Sequence, residues 1–232
     1  MLRAAITAAC PDHLSLAQVF ATAERARPLL RMALDRETDP QRRLRLALIL
    51  GLPRDACGSG ILTTAIASQD WDEGWHFRGM GQFGRSCSPL DDLLIALGRS
   101  GSTQAKHRQA VVDKAVSLPQ AHACSHSRAL AEAVEGLQVT DAAPHLAALL
   151  ADAGAWQHDA ETVAATVSGH PNDTGPRDHA LRELHLARAL YRIGDHHGIG
   201  EAVLRAYARD YRGPLARHAS AVLAAASARA GT

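Results

Sequence analysis

The stretch DPQRRLRLALILGLPRDACGSGILTTAIA, residues 39–67, decides the fold because it is one unit of a pattern that recurs along the chain. It predicts a short helix, a tight turn at Gly51–Asp55 and a second helix. On the second helix the apolar residues recur three and four apart, as one stripe requires: Ile61, Leu62, Ala65 and Ile66. A single helix pair cannot bury such stripes, so the unit predicts stacking against its neighbours.

The same phrase returns three times, at residues 88–116, 127–151 and 181–211. Its turns fall near residues 55, 99, 141 and 195, a spacing of roughly 40 residues that an insertion stretches in the last interval. Helix–turn–helix units of this period are typical of HEAT and armadillo repeats. We therefore predict an all-α solenoid, a right-handed superhelix of about four or five HEAT-like helix pairs. At each turn we expect a left-handed glycine, followed by an Asp that caps the next helix.

The remaining sequence frames these units. Residues 1–38 form an N-terminal segment in which Leu14–Leu34 predicts one long amphipathic helix, and residues 39–232 form the repeat domain. Insertions are expected at 71–89 and at 168–179. In the second insertion, three residues argue against regular helix: Pro171, Gly175 and Pro176.

Composition excludes some classes of partner. The chain has 232 residues, 47% of them hydrophobic, and a net charge of +1, so no overall field attracts nucleic acid or membrane. Interleaved acidic residues make the arginine-rich region at residues 25–45 a solvated helical face rather than a nucleic-acid site. The four cysteines are far apart in sequence and predict reduced thiols in a cytoplasmic protein: Cys10, Cys57, Cys87 and Cys124.

The first insertion contains WDEGWHFRGMGQFGR, residues 71–85, which is rich in aromatic residues and glycine. Gly79, Gly81 and Gly84 have the spacing of a dinucleotide-binding GxGxxG turn. No strand precedes them, however, and no helix follows directly, so a nucleotide site is not predicted.

Two interpretations of this insertion remain open. As a recognition loop on a rigid scaffold, it would bind a partner or substrate through tryptophan and arginine, which are enriched at interface hot spots, and through neighbouring polar and aromatic groups: Trp71, Asp72, Glu73, Trp75, His76, Arg78, Gln82 and Phe83. As a structural plug, its aromatic side chains would cover a gap between two units, and its glycines would let the backbone pass closely. Both interpretations predict an ordered segment.

Catalytic and metal motifs are not found in the sequence. His122, Cys124 and His126 alternate in HACSH, a spacing that does not bring three ligands together at the start of a helix. No nucleophile elbow or zinc-protease helix is present. We therefore predict no catalytic residue, no metal site and no cofactor for this chain.

DPQRRLRLALILG resembles the first helix of HEAT-like repeats in bacterial proteins, and this resemblance implies that Asp39 and Pro40 open the helix. The stretch DWDEGWHFRGMGQFGRSCSPLDDLLIALGRS, with SHSRALAEAVEGL and LARALYRIGDHHGIGEAVLRAYARDYRGPLARHA, resembles the C-terminal helical repeat region of a family of bacterial FAD-dependent oxidoreductases. The likeness covers residues 39–219. The strand, glycine-rich turn and helix of that family's flavin-binding half are not found in these residues.

The resemblance implies the accessory region of such an enzyme, and it leads to three functional hypotheses. The first is a non-catalytic scaffold for protein–protein interaction, whose partner could be a flavoprotein subunit. The second is an accessory C-terminal part of an FAD-dependent oxidoreductase, whose insertion reaches the active site so that Trp75, His76 and Arg78 touch substrate. The third is a phycobilin lyase-type HEAT protein, for which the sequence shows no bilin pocket.

Overall fold

The computed structural model describes residues 17, 19–76, 88–151, 161 and 174–230, with side chains described as far as residue 225. Over these residues the regular secondary structure is entirely helical, which confirms the predicted all-α class. The helices are α1 (Ala23–Arg36), α2 (Pro40–Gly51), α3 (Ser59–Ala67), α4 (Pro89–Arg99), α5 (Ala105–Ser117), α6 (Cys124–Leu137), α7 (Ala143–Ala151), α8 (Gly175–Arg192), α9 (Ile199–Tyr207) and α10 (Gly213–Ala230). Short 3-10 turns at Ala56–Gly58 and Thr140–Ala142 precede α3 and α7.

Polar caps set the start of α2 and α4. Asp39 accepts a hydrogen bond from the backbone N–H of Arg42 at 2.8 Å, and Pro40 occupies the first turn, as the resemblance to HEAT-like repeats implies. At α4, Ser88 and Asp91 form a capping box in which each side chain accepts from the other residue's backbone N–H. These caps satisfy N–H groups that have no carbonyl partner within the first turn of a helix.

The glycines of the turns do not all act as predicted. Gly194 has a φ of +115° after α8, and the Asp195 carboxylate accepts from the N–H groups of Gly200 and Glu201, as expected. After α2 and α6, by contrast, the left-handed residues are Arg54 and Gln138.

Gly51 and Gly136 instead lie inside α2 and α6. A Cβ on Gly51 would lie only 2.5 Å from the carbonyl oxygen of Ala96 on α4. The expectation that these two glycines turn the chain is therefore wrong, because the close approach of neighbouring helices requires them.

Three predicted boundaries also differ from the structure. The predicted single helix Leu14–Leu34 is interrupted: residues 17 and 19–21 are helical, a turn falls at Thr22, and α1 begins at Ala23. Pro89 is the first residue of α4 rather than the end of an insertion. Helix α8 begins at Gly175, so the expectation that Pro176 excludes helix is wrong: proline is tolerated in the first turn, where its missing N–H would have no partner. Residues 168–173 lie outside the described residues.

Alternate helices pack side by side. Helix α4 lies between α2 and α6, and α8 lies between α6 and α10; α5 lies between α3 and α7. One large core runs through these contacts and includes fully buried leucines from several helices: Leu62, Leu94, Leu130, Leu146 and Leu184. A smaller core joins α1 to α2 through Leu30, Leu34, Leu46 and Leu50. Among the described helices, none combines the length and apolar character needed to cross a membrane.

Candidate functional site

Residues 71–76, which we call the clasp segment, lie across the N-terminal end of α6. The N–H of Trp75 donates to Ser125 Oγ at 2.9 Å, and its carbonyl accepts from the N–H of Ser125 at 3.3 Å and from the thiol of Cys124 at 3.2 Å. Ala123 precedes α6 and offers no side-chain cap. The Trp75 carbonyl therefore partners an N–H that the first turn of α6 leaves unpaired.

Gly74 brings the clasp segment onto α6. Its φ is +62°, in the left-handed region that glycine adopts without a Cβ penalty. A Cβ at this position would lie 2.4 Å from Cβ of Ala123 and 2.7 Å from Nε2 of His126. The residue is thus constrained both by its backbone conformation and by the space available.

A buried polar network lies beneath the clasp segment. Asp91 of α4 is fully buried and accepts from the N–H of Ser88 at 3.1 Å, from the hydroxyl of Ser125 at 2.6 Å and from His126 Nδ1 at 2.7 Å. His126 Nε2 lies 3.0 Å from the carbonyl oxygen of Asp72. The network thus connects α4, α6 and the clasp segment through groups that would be costly to bury unpaired.

The network perturbs the ionisation of its two charged members. Burial alone would raise the pKa of Asp91, but hydrogen bonds from His126 and Ser125 outweigh it and hold that pKa below its usual value. Burial alone would lower the pKa of His126, but its hydrogen bonds to Asp91 and to the Asp72 backbone outweigh it and raise that pKa. The pair therefore favours carboxylate and imidazolium.

Trp71 faces the protein. Its Nε1 donates to Ser117 Oγ on α5 at 3.2 Å, its ring centroid lies 4.7 Å from that of His126, and it packs against the main core. This residue behaves as the plug interpretation expects.

The other described side chains of the clasp segment range from half-buried to exposed. Glu73 is exposed, Trp75 is half-buried, and 41% of the side-chain surface is exposed on both Asp72 and His76. His76 Nδ1 lies 4.0 Å from Asp178 Oδ2 at the start of α8. The structure therefore brings Trp71, Asp72, Glu73, Trp75 and His76 into one segment held by its backbone. The other predicted site residues, Arg78, Gln82 and Phe83, lie outside the described residues.

The HACSH residues have separate partners. His122 Nδ1 lies 2.7 Å from the carbonyl oxygen of Pro119, and its Nε2 lies 2.6 Å from Ser127 Oγ. Burial, assisted by the nearby Arg182, lowers the pKa of His122 to about 4. Across the described residues, no group of three or more His, Cys, Asp or Glu side chains is arranged to hold a metal ion.

Asp91, Ser117 and Ser125 belong to this site but were not predicted from the sequence. The Ser88–Asp91 spacing is a recognisable capping box, yet it carries no sign that the same carboxylate also binds α6. The contacts to Ser117 and Ser125 span 46 and 50 residues, so no local periodicity indicates them.

The fold and this site define an all-helical protein with an aromatic segment hydrogen-bonded across one helix end. No family model matches the chain, and comparisons with curated proteins and with solved structures find no significant match.

Proposed function

We propose that this chain is a non-catalytic α-solenoid scaffold of HEAT-like helix pairs, and that it binds another protein through the clasp segment. The side-by-side packing of α2, α4, α6, α8 and α10, with α3, α5 and α7 forming a second row, supports the solenoid arrangement. In such a stack each pair contacts its neighbours and leaves its outer surfaces for binding.

One observation carries the binding proposal: the backbone of the clasp segment is fixed while several of its side chains face solvent. Hydrogen bonds at Trp75 and the close approach of Gly74 to α6 hold the chain in one path. Glu73 and the exposed parts of Asp72 and His76 therefore belong to a segment that loses little further entropy on binding. Tryptophan is among the residue types most enriched at interface hot spots.

A flavoprotein subunit is the partner suggested by the resemblance to FAD-dependent oxidoreductases. In this proposal the flavin belongs to the partner, so adding FAD to the purified chain is expected to give no bound-flavin spectrum. A chain that binds FAD by itself would contradict the non-catalytic scaffold and favour the alternative, an accessory part of an oxidoreductase whose insertion contributes to the active site.

A photoreactive amino acid at position 73 tests the interface directly. We expect crosslinking in the native host to give one defined protein adduct, identified by mass spectrometry, and expect the added substitution Trp75→Ala to abolish it. The matched control places the same photoreactive group at Asp141, an exposed acidic residue in the turn before α7. Equal adducts from both positions, or an adduct that survives Trp75→Ala, would contradict the proposal.

A further inference from the structure

His126 lies between two groups that can only accept hydrogen bonds. Its Nδ1 is 2.7 Å from a carboxylate oxygen of Asp91, and its Nε2 is 3.0 Å from the backbone oxygen of Asp72. Neutral imidazole carries one N–H, whereas imidazolium carries two. Only the charged form of His126 therefore donates to both partners at once.

We infer that the charged His126 holds the clasp segment on α6, and that deprotonation of this imidazole releases the segment. Presentation of Glu73 and Trp75 would then depend on pH. This inference concerns how the proposed binding segment is regulated. Release of the segment itself does not depend on the proposed function; only the expected loss of partner binding rests on it.

The surroundings of Asp91 determine which of its two hydrogen bonds His126 loses on deprotonation. Oδ2 of Asp91 accepts from Ser88 and Ser125, which keeps the carboxylate ionised, so Oδ1 remains free to accept the Nδ1 proton of His126. A neutral His126 therefore keeps its proton on Nδ1. Its Nε2 lone pair then faces the Asp72 carbonyl oxygen, so two acceptors lie opposite one another and the contact to the clasp segment becomes unfavourable.

The direction of the pH effect follows from the same contacts. Burial would lower the pKa of His126, but hydrogen bonds to Asp91 and Asp72 raise it above its ordinary value. A group whose pKa is raised by folding stabilises the folded arrangement fully below its ordinary pKa and loses that contribution as pH rises through the raised value. Release is therefore expected on the alkaline side.

Charged groups on the surrounding elements have other contacts. On α5 the ammonium of Lys114 donates to the carbonyl of Gln69. On α8 the guanidinium of Arg182 donates to the carbonyl of Gln120. Asp178, also on α8, lies beside His76. The groups that act on His126 directly are Asp91 on α4 and Asp72 on the clasp segment.

His122, four residues before His126, supplies an internal control. Its Nδ1 faces the Pro119 carbonyl, but its Nε2 faces the hydroxyl of Ser127, which can donate as well as accept. Each ring nitrogen of a neutral His122 therefore has a hydrogen-bond partner, which agrees with its pKa of about 4. Burial lowers the pKa of both histidines, and only at His126 do the hydrogen bonds to Asp91 and Asp72 outweigh it.

Nuclear magnetic resonance of the full chain with labelled histidine tests the inference. The ring signals of His126 and His122 are followed from about pH 5 to about pH 9, together with the hydrogen-exchange protection factors of the Gly74 and Trp75 amides. The substitution His76→Gln removes the other histidine of the clasp segment. We expect two ring N–H groups on His126 at the acid end and a neutral His122 throughout.

As His126 loses its proton, the protection factor of the Trp75 amide is expected to fall about tenfold, while that of core amides such as Leu130 stays constant. A neutral His126 at the acid end, or constant protection of Trp75 across the titration, would overturn the inference. The variant His126→Gln, with one amide donor, is expected to lack the pH dependence. If that variant does not fold, the pH titration of the unaltered chain still tests the inference.

The two proposals fail separately. Loss of protection with pH but no adduct from position 73 would support the release mechanism and contradict the proposed function. A Trp75-dependent adduct with protection that does not change with pH would support the function and overturn the release mechanism.

Discussion

Gly136 on α6 meets Gly98 on α4 backbone to backbone: a Cβ on Gly136 would lie 2.0 Å from the carbonyl oxygen of Gly98. A Cβ on Gly98 would lie 2.6 Å from Cα of Ala133, again on α6. The same kind of contact occurs where Gly51 of α2 meets Ala96 of α4. Small residues at successive crossings therefore set how closely these helices approach, because larger side chains would separate them.

The substitution Gly136→Ala is expected to destabilise the protein by about 2 kcal/mol, in the range for overpacking a close-packed core. The opposing atoms belong to the backbone of Gly98 and cannot rotate away. The free energy of unfolding in urea, followed by circular dichroism, measures the effect.

Gly60→Ala is the matched control, because Gly60 lies in α3 and a Cβ there meets nothing within 4 Å. It is expected to stabilise the protein by about 0.5 to 1 kcal/mol, since alanine has the better helix propensity. Equal effects of the two substitutions would contradict the close-packed crossing.

Gly74→Ala is expected to displace the clasp segment while the helices remain folded. The new Cβ would collide with Ala123 and His126, so protection of the Trp75 amide from hydrogen exchange should fall about tenfold or more. Gly101→Ala separates collision from backbone strain, since Gly101 has a similar φ of +72° but no atom within 4 Å of the built Cβ. That control should cost about 1 kcal/mol of stability and leave Trp75 protected. If both variants leave Trp75 protected, Gly74 does not position the segment.

The buried His122 predicts a loss of stability in acid. Burial lowers its folded-state pKa to about 4, below the ordinary histidine value of about 6.5, so between these values the unfolded chain binds the extra proton. Its contribution is therefore present above about pH 6.5 and is lost as pH falls, by about 1.4 kcal/mol per pH unit. His185, whose pKa burial and Arg188 lower to about 3, acts in the same direction.

Urea unfolding at several pH values between about 6.5 and about 4.5 checks this, with His122→Asn as the comparison. The asparagine amide can donate to the Pro119 carbonyl as Nδ1 does, but it does not titrate. The slope of unfolding free energy against pH should be shallower in the variant by about 1.4 kcal/mol per pH unit. Parallel slopes would show that His122 charges as easily in the folded protein as in the unfolded one.

Local signals in the sequence predicted the helices correctly where local contacts decide them. Asp39 with Pro40 opens α2, and apolar spacing indicates the stripes that form the core. The role of Gly51 could not be predicted, because a glycine at the end of an apolar run suits a turn as well as a close helix crossing. Only the position of α4 distinguishes the two.

The site was predictable in composition but not in contacts. Unusual aromatic content singled out the segment that begins at Trp71, whereas nothing local indicated its hydrogen bonds to Ser125 and His126, which lie about fifty residues further on. The alternation of His122 and His126 in HACSH raised the question of a metal site. In the structure, Nε2 of His122 faces Ser127 and Nε2 of His126 faces the clasp segment.

The two tryptophans of the clasp segment test the central claim, that backbone hydrogen bonds and the packing of Trp71 hold this segment while its exposed surface, including Glu73, binds a partner. The deciding measurement is the unfolding free energy of Trp75→Ala compared with that of Trp71→Ala. Crosslinking from position 73 in the Trp75→Ala variant then measures whether partner binding is lost. Trp71 packs on the core, so its removal should cost about 2 kcal/mol or more. Trp75→Ala should cost less than Trp71→Ala and still abolish the adduct, because the backbone hydrogen bonds of residue 75 to Ser125 and Cys124 remain in the variant. A Trp75→Ala variant that loses as much stability as Trp71→Ala, with its adduct intact, would show a structural plug and contradict the binding scaffold.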